Sequence, residues 1–128
     1  MTIENIKRAV IVLLHGIIGW GLCGAIIFIG RSVTTLDNAL LIHAFGAPVI
    51  FGALTCSYYR FFRYTAPHIT AILFTGIAFC LDFFVIAPFV EKSFDMFTSV
   101  TGTWIPFGLI FFATYLVGVA MTGTKQRA

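Results

Sequence analysis

A single carboxylate stands in the middle of a long apolar run of this chain, Asp82 in Phe79-Cys80-Leu81-Asp82-Phe83-Phe84. A carboxylate in such surroundings is costly to bury, so it is expected to face a protein interior, paired or wetted. His15, His43 and His68 also fall in or beside apolar runs. Histidine changes charge near neutral pH, so an Asp–His pair could relay protons or hold a polar or cationic group. Thr75 and Thr103 offer hydroxyls that would support such a pair. The candidate ligand- or proton-binding set is therefore Asp82, His43, Thr75 and Thr103. The structural alternative is a protonated Asp82 and a satisfied histidine that only hold helices in register.

Other chemistries fit less well. Cys23, Cys56 and Cys80 form no C-x-x-C pair and lie in or at the edge of apolar runs. Neither a disulfide framework nor a metal site is expected. A haem held by two histidines needs ligands at matching depth on facing helices. At 1.5 Å rise per residue, His15 and His43 are separated by roughly 15 Å along the membrane normal. No haem or other cofactor is expected. No nucleotide-binding, zincin or hydrolase motif is present, and the residues carry no resemblance to a known family.

The elements that must carry these residues follow from composition. Of 128 residues, 59% are hydrophobic and only 10% charged, and the mean hydropathy is +1.00. Soluble domains carry about 25% charged residues, so lipid is the solvent that fits. A helix needs about 20 apolar residues to cross a bilayer. Four segments qualify: residues 9–30, 39–59, 67–90 and 103–122. The first is too long for a signal peptide and lacks a small-residue cleavage pattern, so it is expected to be retained. The links 31–38, 60–66 and 91–102 are short, which makes sequential helices antiparallel. The predicted fold is a single all-α domain over residues 1–128, an integral membrane antiparallel four-helix bundle.

Orientation follows from the basic residues flanking the helices. Lys7, Arg8, Arg60, Arg63, Lys125 and Arg127 fall on one side, leaving Arg31 and Lys92 on the other with Asp37, Glu91 and Asp95. Both termini are therefore expected in the cytoplasm of a bacterial-type inner membrane. Because these cations are spread over chain ends and links, no nucleic-acid partner is expected despite a pI near 9.0.

Within this frame, His68, Ala71, Thr75, Ala78 and Asp82 share one small, polar face of the third helix. Asp82 lies roughly 4–5 Å to the outer side of its helix midpoint and His43 about 9 Å to the outer side of its own. They are within bridging distance if the second and third helices are adjacent. Pro48 should kink the second helix and free a carbonyl near Ala44. Gly21 and Ala25, Ala53 and Ser57, and Thr114, Gly118 and Thr122 repeat small residues at four-residue spacing, which suits close packing within the bundle or a homo-oligomer. The run 58–64 reads as an aromatic belt at the inner face, able to meet anionic headgroups. Trp104 and the loop 91–97 read as outer-face anchors, and the loop is placed to lid an outward-facing cavity.

The leading functional expectation is a small carrier, channel or ligand-binding membrane protein, with a polar or cationic ligand at Asp82 and His43. The alternative is a non-catalytic subunit or assembly factor of a larger membrane complex. A third reading, an enzyme acting on a lipid or isoprenoid, lacks convergent polar groups, so an enzyme is disfavoured.

Overall fold

The computed structural model describes residues 2–90, 92–98 and 100–127, with 96, 101, 102 and 124–127 described by backbone alone. Glu91 thus lies outside the described residues, as do the side chains of Lys125 and Arg127. Four helices are long and apolar enough to cross a membrane, and no strand occurs among the described residues. They are α1 (Ile3–Val33), α2 (Leu36–Phe61), α3 (Pro67–Leu81) and α4 (Ile105–Arg127). α3 runs on as a π-helical stretch, Asp82–Val90. A 3₁₀ turn at Asp95–Thr98 and a π-helical turn at Val100–Trp104 lead into α4.

Local chemistry sets the ends. The hydroxyls of Thr2 and Thr35 accept the backbone N–H groups of Asn5 and Asn38 at 3.2 Å, capping α1 and α2. Glu4 and Asp37 in first turns, with Arg31 and Arg60 in last turns, complement the helix dipoles. α1 runs on to Val33 and α2 starts at Leu36 behind its Thr35 cap, so the link predicted over 31–38 shrinks to Thr34 and Thr35. α2 runs as one helix through Pro48. It stops where Arg63 adopts a left-handed φ of 57°. The Arg63 side chain then donates through Nε to the Tyr59 carbonyl at 2.6 Å and through Nη2 to the Met121 carbonyl of α4 at 3.4 Å. Pro67 occupies the first turn of α3, where its missing N–H costs nothing.

α1 and α4 each pack against both α2 and α3, while α2 and α3 share no comparable backbone seam. α2 and α3 thus stand at diagonal corners and meet through long side chains. Phe51 and Tyr58 of α2 reach the Phe74 ring of α3, with centroids 6.1 and 5.9 Å apart. Phe51, Tyr58, Tyr59 and Phe74 are fully buried and fill the axis. α1 comes close because its inward face lacks side chains: a Cβ on Gly19 would stand 2.6 Å from the Phe51 ring. Gly21 and Gly24, on the other side of α1, face open space.

The Arg8 guanidinium lies 5.3 Å over the Tyr64 ring, and Arg63 reaches Met121. The start of α1, the α2–α3 connection and the end of α4 therefore share one end of the molecule, the terminal end. The α1–α2 turn and residues 92–98 and 100–104 belong to the opposite, loop end.

Gly19→Ala should overpack the α1–α2 seam and destabilise the protein by about 1–3 kcal/mol. Gly21→Ala should be neutral or slightly stabilising, because Ala is the better helix former. Apparent melting midpoints of the detergent-solubilised variants check both signs.

Candidate functional site

Asp82 sits where α3 passes from α-helical to π-helical geometry, half-buried against α1. Short π-helical segments often occur at functional sites. The indole Nε1 of Trp20 on α1 donates to Asp82 Oδ1 at 2.9 Å. Cys23, buried one turn beyond Trp20, lies within electrostatic reach of the carboxylate. The polar face of α3 largely points inward: Ala71 and Ala78 are buried, and the Thr75 hydroxyl is buried too. His68, at the start of that face, is exposed.

Trp20, not His43, is the hydrogen-bond partner of Asp82. His43 and Asp82 stand on diagonal helices, and their levels differ. Gly30 of α1 meets Ala39 and Ile26 meets Gly46, which puts His43 roughly 10 Å further toward the loop end than the Trp20–Asp82 bond. The depth estimate from sequence set the two closer in level because it centred every helix at one common depth, whereas the contacts along α1 stagger α2 against α3. Adjacency of α2 and α3 was its other premise, and the large rings between them remove it.

His43 is 8% exposed, and its Nδ1 has no hydrogen-bond partner among the described residues. The same holds for Thr75 Oγ1 and for Thr114 Oγ1, the latter on a fully buried residue of α4. Thr103 is buried at the entrance to α4, in the π-helical turn that approaches α2. Buried polar atoms are nearly always hydrogen-bonded, so each of the three marks a place for a polar guest or water, His43 toward the loop end and Thr75 and Thr114 toward the terminal end. Among the described residues, no three His, Cys, Asp or Glu side chains gather as a metal site.

Sequence reasoning missed Trp20 and Thr114. Trp20 carried a usable signal: tryptophan favours the membrane interface, and one at mid-span needs an acceptor for its N–H. Thr114 was read only as a small residue in a packing repeat.

The terminal end holds a contrasting, closed network. Tyr58 and Tyr59 are fully buried, so this part of the expected aromatic belt is core instead. The cause is their place on the buried stripe of α2, where Thr65 and Thr70 meet their hydroxyls. Tyr58 Oη lies 2.8 Å from Thr65 Oγ1 and also accepts the Tyr64 N–H at 3.0 Å. Tyr59 Oη donates to the Thr65 carbonyl at 2.9 Å and lies 2.7 Å from Thr70 Oγ1. His15 donates from Nδ1 to the Ile11 carbonyl of its own helix at 2.8 Å and packs among Tyr58, Phe62 and Phe74.

At the loop end the chain folds back on itself. Phe94 and Phe97 pack on Phe83, and Trp104 Nε1 donates to the Phe97 carbonyl at 2.7 Å. Phe79, Phe83, Phe94, Phe97 and Trp104 line an open groove of about 390 Å³. A second, aliphatic groove of about 480 Å³ lies between α1 and α2, with Leu22, Ile26, Ile29, Ile42 and Ile50 in its walls. Neither groove is lined by Asp82, His43, Thr75 or Thr103.

The fold and the site together describe a small helical protein suited to a membrane, with a carboxylate held at a helix–helix seam. Comparison with known families, with characterised proteins and with solved structures finds no match.

Trp20→Phe and Asp82→Ala should each lower stability, by about 1–3 kcal/mol. Because the two groups share one bond, the double variant should cost less than the sum of the singles. A double-mutant cycle on detergent-solubilised protein reads this coupling, and strict additivity would refute the bond.

Proposed function

We propose that this protein is an integral membrane carrier, channel or ligand-binding protein, with Asp82 as its ionisable centre and Trp20 positioning the carboxylate. Its ligand is a proton or a small cationic or hydrogen-bond-donating group. His43 and Thr103 toward the loop end, and Thr75 and Thr114 toward the terminal end, supply polar contacts spread along the bundle rather than around one point. The observation that carries this reading is the set of buried polar atoms without partners, His43 Nδ1, Thr75 Oγ1 and Thr114 Oγ1, in a bundle that also holds a half-buried carboxylate with one recorded hydrogen bond. Intramembrane ionisable groups mark ion paths, proton relays and ligand counter-ions.

The filled axis argues for a narrow occupant. Phe51, Tyr58, Tyr59 and Phe74 leave little width between α2 and α3, which favours a proton or a small ion over a bulky solute along that route. In proteoliposomes carrying a pH-sensitive dye, an imposed potential should drive proton flux through the wild type. Asp82→Asn should abolish that flux while eluting from size exclusion as the wild type does. Equal flux in the two proteins would remove Asp82 from the mechanism.

Both termini are assigned to the cytoplasm by the distribution of basic residues. A reporter fused to the C-terminus that is active only in the cytoplasm should therefore be active, and one active only outside should be silent.

A second reading is a subunit or homo-oligomer packed through α1. Gly21 and Gly24, neighbours of the exposed Ala25, have no atom near the positions their side chains would take. Small residues on a free helix face permit close helix–helix contact in lipid. Under this reading Asp82→Asn disrupts copurification with a partner rather than flux.

A further inference from the structure

We propose that Thr75 of α3 and Thr114 of α4 hold one buried water between them at the α3–α4 seam. This refines the polar contacts given to the two threonines in the carrier reading, but its geometry does not involve Asp82.

A helix offers each threonine hydroxyl a default partner, the carbonyl four residues back. Thr55, Thr70 and Thr122 take it, donating to the Phe51, Ala66 and Gly118 carbonyls at 2.6, 3.0 and 2.9 Å. Thr75 Oγ1 and Thr114 Oγ1 do not, and neither has a hydrogen-bond partner among the described residues. Both oxygens are buried, and Thr114 as a whole is 0% exposed. A buried hydroxyl left bare is costly, so each calls for an acceptor or donor from elsewhere.

Helix register brings the two together. α3 leaves the terminal end and α4 arrives there, so this packed pair is antiparallel. A Cβ on Gly118 would stand 3.0 Å from Pro67, and the Phe79 and Phe107 rings have centroids 5.7 Å apart. Between these two fixed points Ala71 falls opposite Thr114, and Thr75 opposite Ile110. Thr75 and Thr114 are therefore displaced by one turn along the seam, about 6 Å at the backbone. Side chains lean toward the start of their own helix, and in an antiparallel pair these two lean toward each other. Two oxygens bridged by one water stand roughly 4.5–5.5 Å apart, because each O–H···O bond is about 2.8 Å. Ala71, fully buried opposite Thr114, brings only a methyl group to the space between them.

The chemistry of the surroundings selects water over a charged occupant. A buried water takes about two to four polar partners. The hydroxyls supply two, and the Ala71 and Ile110 carbonyls, one turn back on each helix, keep the lone pair that neither threonine takes. A cation here would lack a carboxylate, since Asp82 is roughly 10 Å further along α3. Buried Phe74 and Ile110 are its nearer neighbours. The Tyr59 ring lies 3.1 Å from the place a Gly118 Cβ would take, one turn of α4 from Thr114. The water therefore adjoins the Tyr59–Thr70 hydrogen bond and extends the terminal-end network toward the middle of the bundle.

A mutant cycle on detergent-solubilised protein, read as the folded-to-unfolded ratio in an SDS titration, tests the shared occupant. Thr75→Val and Thr114→Val keep side-chain shape. Each should lower the ratio by about five-fold, because the water is lost and the other hydroxyl is left bare. The double variant leaves no bare hydroxyl, so it should cost no more than either single. Thr75→Ser, which keeps the hydroxyl, should preserve the coupling to Thr114. Solid-state NMR of threonine-labelled protein in proteoliposomes gives the second readout. Magnetisation from water should reach the Thr75 and Thr114 methyl groups, and Thr75→Val should extinguish the transfer to Thr114. The proposal is overturned if either valine variant is as stable as the wild type, or if the two costs multiply. Coupling without water transfer means a direct bond between the threonines and overturns it too. Asp82→Asn should leave both water signals in place, so loss of proton flux and loss of this site are separate results.

Discussion

The constraint behind this structure is that a polar group inside an apolar bundle must find its partner within the protein. Water is not at hand to substitute, and an unsatisfied donor or acceptor there costs several kcal/mol, on the order of a whole domain's net stability. Trp20 and Asp82 meet this constraint for each other across the α1–α3 seam. At the terminal end Tyr58, Tyr59, Thr65 and Thr70 meet it collectively, with Arg63 donating to the Tyr59 carbonyl of α2 and the Met121 carbonyl of α4. Three atoms break the rule: Thr75 Oγ1 and Thr114 Oγ1 border this network, one helical turn or so from it, and His43 Nδ1 lies far toward the loop end. The contrast between the closed network and these separate unpartnered atoms is what directs attention to the second.

Packing explains why the open groups are not joined by a wide hollow. α1 contributes glycines to the interior, and α2 and α3 contribute rings. Close approach of α1 brings Trp20 within reach of Asp82, while the rings keep α2 and α3 apart at their backbones and fill the space between. The same arrangement that positions the carboxylate therefore limits what could travel past it. Larger recognition surfaces are left for the edges of the bundle. There the loop 92–98 folds onto α3 and the start of α4, turning residues that would serve as simple interfacial anchors into the wall of a groove.

Much was legible from sequence because it depends on local pattern. The apolar runs marked the four helices long enough to cross a membrane. Thr2, Thr35, Pro67 and the flanking charges bear on where helices begin and end, through hydrogen bonds and dipoles only a few residues long. The inward face of α3 was also readable, since a small and polar stripe at helical spacing is a property of one segment. Asp82 stood out from composition alone, as a charge where charge is expensive.

What the sequence could not determine was which helix each stripe would meet. The partner of Asp82 was sought on the preceding helix, at His43 of α2, and lies on α1, sixty-two residues away. Tyr58 and Tyr59 looked interfacial from their position near a helix end and are core, because their hydroxyls close a network with the following loop. These outcomes depend on ring volumes, glycine gaps and relative helix heights acting together across the whole bundle. By itself the sequence determined an apolar helical protein with one costly carboxylate. Only tertiary packing decided that this carboxylate bonds an indole, because the glycines of α1 allow an approach that the rings between α2 and α3 forbid.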